Sequence, residues 1–491
     1  MARILPGAFL SILSGWAMSG ATYAWDTPWL GLFAWVPAIV AQHAIWPRAL
    51  QGVAMGLAWF SYLGINLVPK LMPEIGLWVW ALPAAVGIVS AILEQQTVTR
   101  AQSDDYRSFW WQTAFAYTAV EMGRSFIPGV ATWAAVGYSV IASPGWSLAA
   151  SWIGIFGLSL GVWASNFALA HLLLIAYRRA PWHRSTGMAA VLVVAIAFGL
   201  LLVPSSAPPA DRPTLRVAAI QPGFDLYEGE WNTRRLAGDD MSLSRDLMSL
   251  GFTYSREAVA QGARLIVWPE GFLRVIPQDH PEFKDKLENF ARETGVTLAV
   301  GYAVETPAGR RNEVAMITPE ADWLITGKAH PVPWAETGSV TRGQVASLAL
   351  DGYRVGSMIC FDADYTDTTR ARAREGARLL AAPAHDWPAI GRARAVHLRA
   401  RAAENRLPIV MADWMVGSAA VDARGRIIAH MPFYEKSPGV MIVDVPVGDG
   451  GVTPYANAGD IAGWLSICAT IFFLLRSGRA QRRRPRPQTP S

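Results

Sequence analysis

Val355-Gly-Ser-Met-Ile-Cys360 runs without a charge straight into Phe361-Asp-Ala-Asp-Tyr365. The first six residues read as a buried strand, and the polar residues after them as the turn that ends it. A thiol at the C-terminal end of such a strand, beside carboxylates, is aimed into a cleft by rigid backbone. The chain has two cysteines, and the other, Cys468, lies in an apolar stretch near the C-terminus. A disulfide framework is therefore not what Cys360 serves. A small buried hydrophobe explains Cys468 well. For Cys360 the surroundings decide.

On both sides of Cys360, short apolar runs alternate with amphipathic segments. Strands are expected at 215–220, 264–268, 297–302, 313–317, 379–382, 409–412, 418–421 and 440–445. Helices are expected at 240–262, 281–294, 367–376 and 391–405. This alternation implies an α/β domain over residues 212–450, with either a pair of central sheets or one doubly wound sheet. Sites in such folds gather at the carboxyl ends of strands. Glu270, after Trp268-Pro269, and Cys360 both fall at or just past such an end.

The rest of the 491 residues is different in kind. The chain is 52% apolar and 16% charged, with a mean hydropathy of +0.23, and the apolar residues are concentrated before position 205. A membrane-crossing helix needs about 20 apolar residues. Seven such stretches are expected, near 5–23, 28–45, 49–68, 75–93, 109–127, 152–176 and 187–205, and an eighth near 457–475. No cleavage site follows the first, which reads as an anchor. The stretch 129–150 is apolar but broken, as a re-entrant or interfacial segment would be. Many of the 22 tryptophans lie at span ends. A Pro-rich linker, Ser205 to Pro213, separates the membrane domain, 1–205, from the α/β domain.

Basic residues orient the chain. Arg48, Arg100, Arg107, Arg178, Arg179 and Arg184 sit in alternate short loops, and a basic tail, 476–491, follows the last span. All fall on one side if seven spans precede the α/β domain and one follows it. The positive-inside rule makes that side cytoplasmic and puts the α/β domain outside the cytoplasmic membrane. The net charge of +5 is largely this signal. No basic surface interleaved with aromatics supports nucleic-acid binding. His330, His385 and His397 match no zinc-ligand spacing, so no metal or other cofactor is expected.

Three stretches carry the chemistry: Leu265-Ile-Val-Trp-Pro-Glu270, Gly327-Lys328-Ala-His-Pro-Val-Pro-Trp-Ala-Glu336 and Gly356-Ser-Met-Ile-Cys360-Phe-Asp362. A thiolate attacking an acyl carbon needs a base for its proton. A carboxylate in an apolar pocket, with its pKa raised, can be that base. A lysine ammonium can face the oxyanion that forms. Glu270, Lys328 and Cys360 supply these three groups.

With those motifs in place the chain resembles the nitrilase superfamily and its Glu-Lys-Cys triad. Within it, the chain is similar over nearly its whole length to the apolipoprotein N-acyltransferase family. His397-Leu-Arg-Ala-Arg-Ala-Ala-Glu404-Asn-Arg406, Gly417-Ser-Ala-Ala-Val-Asp-Ala-Arg-Gly425, Glu121, Gly137-Tyr-Ser139 and Gly154-Ile-Phe-Gly-Leu-Ser159 add to the match. The departures are Cys360-Phe361-Asp362 in place of Cys-Tyr-Glu, and Val332-Pro-Trp-Ala-Glu336 in place of Val-Pro-Phe-Gly-Glu. They mark a divergent member.

The resemblance implies a polytopic α-helical membrane domain plus an αββα extracytoplasmic domain. It implies that Glu270 activates Cys360, which takes an acyl chain from a phospholipid as a thioester. The amine of a diacylglyceryl-cysteine apolipoprotein then takes the acyl group. Lys328, with the Phe361 backbone N–H, would stabilise the oxyanion, and Glu336 and Asp362 would support the site. Trp334 and the loop 271–276, with Phe272, would meet the lipid tails. The implied partners are the phospholipid donor, the lipoprotein acceptor and membrane lipids; a monomer is the default. Two alternatives stay open: a membrane-tethered amidase acting on a small amide, and a catalytically silent scaffold.

Overall fold

The computed structural model describes residues 3–24, 26–205, 212–341, 347–432 and 435–482. Most of the expected linker, 206–211, and the tail residues 483–491, with Arg483, Arg484 and Arg486, lie outside the described residues. The chain divides into two compact units. One is Met1–Trp146, Ile153–Val203 and Asp460–Ser491; the other is Ser147–Trp152 and Pro204–Gly459.

The second unit holds two six-stranded sheets. The strands are β1 (Thr214–Gln221), β2 (Leu265–Val267), β3 (Thr297–Thr306), β4 (Gly309–Ile317), β5 (Trp323–Gly327), β6 (Ser347–Leu350), β7 (Tyr353–Ser357), β8 (Leu379–Pro383), β9 (Ile409–Ala412), β10 (Ala419–Val421), β11 (Ile427–His430) and β12 (Gly439–Pro446). The first sheet runs β12-β1-β2-β3-β4-β5, and the second β11-β10-β9-β8-β7-β6. At the centre of each, three strands are parallel: β1, β2 and β3 in one, β7, β8 and β9 in the other. Of the two layouts left open by the sequence, this is the sheet pair.

Alternation along the strands builds the layers. Leu215, Val217, Ala219, Leu265 and Val267 join one core cluster with Val355, Leu379, Ala381 and Ile409 of the second sheet. The intervening Ala218, Ile220, Ile266 and Trp268 face helices Asp240–Ala260 and Pro281–Thr294, packing with Leu243, Leu247, Phe283 and Leu287. Helices Asp367–Arg374 and Gly391–Asn405 add Ala373, Leu398 and Ala402 to the second sheet. The result is an αββα sandwich. Strands buried on both faces read as unbroken apolar runs, which is why β1, β2, β8 and β9 were visible in the sequence. Strands β5, β6 and β11 were missed. All three are end strands of their sheets, with partly exposed faces and no such run.

Outside the sandwich, among the described residues, five helices are long and apolar enough to cross a membrane. They are Ile4–Ala24, Arg48–Met72, Gly76–Ser103, Pro144–Ala176 and Arg184–Leu201. Three other expected spans differ. The stretch 28–45 is two short helices, Pro28–Gly31 and Val36–Ala44, each with a proline in its first turn. Asn166 closes the break: its Oδ1 accepts from Trp35 N at 2.8 Å and its Nδ2 donates to Gly31 O at 2.8 Å. Backbone groups inside a bilayer need such partners. The stretch 109–127 is a 16-residue helix, Phe109–Arg124. The last apolar helix begins at Ile461, and its apolar part ends at Arg476.

Of the broken stretch 129–150, residues 144–150 open helix Pro144–Ala176, and 129–143 are largely buried irregular backbone with Ala131 and Ala134 at positive φ and a 3-10 turn at Val136–Val140. Polar side chains satisfy it. Glu121 accepts from Val136 N at 3.2 Å, and Ser159 Oγ accepts from Gly137 N at 3.0 Å.

Candidate active site

Glu270 lies three residues past β2, and the main chain around it is pinned. Its N–H donates to Ala384 O at 3.4 Å, and its carbonyl accepts from Trp414 Nε1 at 2.7 Å. Lys328 follows β5, its N–H bonded to Asn312 O at 2.9 Å. Its ammonium sits between two carboxylates, 2.8 Å from Glu270 Oε1 and 2.7 Å from Glu336 Oε2. Asn312 Nδ2 donates to both carboxylates. Glu336 Oε2 also accepts from Val332 N at 2.8 Å. All of these side chains are buried. Removing the Lys328 charge would leave both carboxylates without a cation in a low dielectric.

Cys360 is reached differently from expectation. Strand β7 starts at Tyr353 and ends at Ser357, and Cys360 opens a 3-10 turn, Cys360–Asp364. Polar residues at 362 and 364 end the strand pattern early. Cys360 has φ +44°, a left-handed backbone that costs a side-chain-bearing residue about 1–3 kcal/mol. Asp362 holds the turn. Its Oδ2 accepts from Ile359 N at 2.9 Å, and its Oδ1 accepts from His330 N at 2.8 Å, tying the turn to the Lys328 segment. The Cys360 thiol donates to Asp386 Oδ1 at 3.4 Å, and Arg394 Nη2 donates to the sulfur at 3.8 Å.

The electrostatics follow from burial against pairing. Burial pushes Glu270 up, but the Lys328 charge, with hydrogen bonds from Lys328 and Asn312, holds it below the usual carboxylate range. The raised Glu270 expected from the sequence is therefore corrected: its pocket is polar. Burial, then the charges of Glu270 and Asp386, push the Cys360 thiol well above its ordinary value, against Lys328 and Arg394. Lys328 resists burial and is raised by Glu270, Cys360 and Glu336. Burial lifts Asp362 to about 6. Burial and then Asp386 lift Asp413 to about 7. The resting site is thus a neutral thiol beside a carboxylate and an ammonium.

The structure brings Glu270, Lys328 and Glu336 into direct contact, with Cys360 in electrostatic reach of the first two. Phe361, next in the turn, is buried and meets the Trp334 ring edge-on at 6.4 Å. Trp334 is 45% exposed. Phe272 is a correction. It is fully buried against Trp268 and Trp414, and Leu273 and Val275 are buried as well, so Phe272 does not stand on the surface as expected.

Four neighbours of the site were not foreseen: Asn312, Asp386, Arg394 and Asp413. Asp386 was within reach of the strand-end rule, because it follows β8 just as Glu270 follows β2. Arg394 stands in a helix that was foreseen and Asn312 just before the strand expected at 313–317, and their burial shows only in three dimensions. Asp413 caps the next turn, accepting from Met415 N at 2.9 Å and Val416 N at 2.7 Å. It also accepts from Asp386 N at 3.0 Å.

Comparison with known proteins extends this. Residues 244–455 match the carbon–nitrogen hydrolase family. An apolipoprotein N-acyltransferase of Geobacter metallireducens is 26% identical, covering 93% of this chain and 92% of its own length. An (R)-stereoselective amidase of a Pseudomonas species is 29% identical, but over 40% of this chain and 77% of its own length. The crystal structure of an amidase from a Nesterenkonia species is similar at a TM-score of 0.39 and 21% identity, covering 49% of this chain and 94% of that one.

Proposed function

We propose that this chain, a divergent member of the carbon–nitrogen hydrolase superfamily related along nearly its whole length to the apolipoprotein N-acyltransferases, moves a fatty acyl group from a phospholipid to the N-terminal amine of a diacylglyceryl-cysteine lipoprotein. One observation carries this over amide hydrolysis. The acyltransferase relative matches the membrane helices as well as the sandwich, whereas the amidase relative covers 40% of the chain.

The geometry supports a ping-pong order. Glu270 takes the Cys360 proton: the S–H bond breaks and an O–H bond forms on the carboxyl. The thiolate attacks the ester carbonyl, and the ammonium of Lys328 faces the oxyanion. Collapse expels the lysophospholipid alkoxide, which recovers the proton from Glu270. The acceptor amine then attacks the thioester and gives its proton to Glu270; the C–S bond breaks, the new amide departs, and the Cys360 thiolate recovers that proton from Glu270. Glu336 and Asn312 keep Lys328 fixed throughout. Because Glu270 is a weak base and the thiol a weak acid here, proton transfer is uphill in the resting site. The step therefore belongs to the substrate-bound state, where the oxyanion and Lys328 offset it.

We also place the sandwich on the periplasmic side of the inner membrane. The distribution of Arg48, Arg100, Arg107, Arg178, Arg179 and Arg184 supports that side. The test supplies the purified protein with a phospholipid and a synthetic diacylglyceryl lipopeptide. Tri-acylated lipopeptide and lysophospholipid in equal amounts are expected. Release of free fatty acid without lipopeptide acylation would instead mean hydrolysis.

A further inference from the structure

Arg394 and Asp386 are fully buried and form an ion pair at 2.9 Å, Nε to Oδ2. Both also touch the Cys360 sulfur, at 3.8 and 3.4 Å. Neither belongs to the Glu270–Lys328–Glu336 cluster. We propose that they form a second charge pair on the nucleophile, with Asp386 holding the resting thiol and Arg394 receiving the thiolate. The inference rests on Cys360 being the nucleophile of the reading above.

The pair is built to stay fixed. Arg394 Nη2 donates to Asp386 Oδ1 at 3.0 Å and Nη1 to Asp364 Oδ1 at 2.7 Å. His397 Nδ1 contacts the same Asp364 oxygen. The main chain of Asp386 is tied to Asp413. A guanidinium clamped by two carboxylates keeps its charge and its plane at any working pH. It cannot take a proton from the thiol, so its role toward sulfur is that of a donor. Asp386 is the acceptor that the resting S–H has found, and no hydrogen bond joins Sγ to Glu270 among the described residues.

The consequence is a thiol held in two directions. When Glu270 removes the proton, Asp386 loses a hydrogen bond and opposes the new charge, and Arg394 and Lys328 favour it. The charged groups acting on the sulfur are Glu270 and Asp386, which oppose its ionisation, and Lys328 and Arg394, which favour it. Behind them stand Glu336, Asp362, Asp364, His385, His397 and Asp413. Removing Asp386's charge therefore makes the thiol more acidic, and removing Arg394's makes it less acidic.

The test is the pH dependence of Cys360 alkylation by iodoacetamide, read by intact mass on the full-length protein in detergent. Cys468→Ser removes the other, exposed thiol. In this background Asp386→Asn should lower the inflection by about one pH unit and raise the rate at neutral pH about tenfold. Arg394→Gln should move it the other way. The double variant, which removes both charges of the pair, should fall between. If Arg394→Gln does not fold, Asp386→Asn and the double variant still set the sign. An inflection unmoved in variants that still melt cooperatively would overturn the proposal and leave the pair structural. Incubation with phospholipid separates this from the wider reading. An acyl adduct with an unmoved inflection overturns the pair alone. A shifted inflection with no adduct keeps the pair and removes acyl transfer.

Discussion

Cys360 stood out in the sequence because it is one of two cysteines, follows an apolar run and has carboxylates beside it. Glu270 and Lys328 were legible by motif. The polarity of their pocket was not, because Asn312 and Glu336 close on Lys328 only after β4 and β5 pair. Lys328→Met should therefore damage more than catalysis. It leaves Glu270 and Glu336 buried without a cation, which is worth about 3–5 kcal/mol. Denaturant melts should show that loss, while Cys360→Ser melts like wild type. A second prediction concerns Asp413, lifted to about 7 from an ordinary 3.8. Its protonated form is favoured in the fold. The stability linked to it is full below the ordinary value and is lost as pH rises through about 7. Asp413→Asn should gain thermal stability relative to wild type between pH 5 and 8, a difference in which other titrating groups cancel. A constant difference across that range would show that Asp413 is ionised throughout.

At the scale of elements, the site depends on how closely strands pass the segment that carries Glu270. A Cβ added at Gly301 in β3 would lie 2.1 Å from Pro269 O and 2.8 Å from Glu270 Cα. Those are backbone atoms and cannot rotate away. Gly301→Ala should push the Pro269–Glu270 segment off Lys328. The expected cost is about 1–3 kcal/mol of stability and a fall of at least about a hundredfold in turnover from misplaced geometry. Turnover kept near wild type would mean that the segment tolerates displacement. The central strands and most helices of the sandwich were readable because their apolar runs have a period. Helix 281–294 emerged with the bounds expected of it. Cys360 was assigned to its strand in error, because Met358 and Ile359 continue the apolar run after the ladder has ended.

For the whole molecule, the division into a helical membrane part and an α/β domain was legible from composition and patterning, while the αββα layout was implied only by the family resemblance. The number of spans was less so. Hydropathy does not register that prolines and Asn166 divide 28–45 into two helices. The proposed orientation predicts that a cysteine placed in the exposed end of helix Pro281–Thr294 reacts with a membrane-impermeant maleimide in intact spheroplasts, and one at Arg100 does not. The reverse pattern would invert the topology. The central claim is that Cys360 accepts an acyl chain from a phospholipid. It is tested most directly by intact mass of the detergent-purified protein after incubation with phospholipid and no acceptor. A gain of one fatty acyl group, removed by hydroxylamine and absent in Cys360→Ser, is the predicted result. A folded wild-type protein that gains no mass across a range of phospholipids would contradict it.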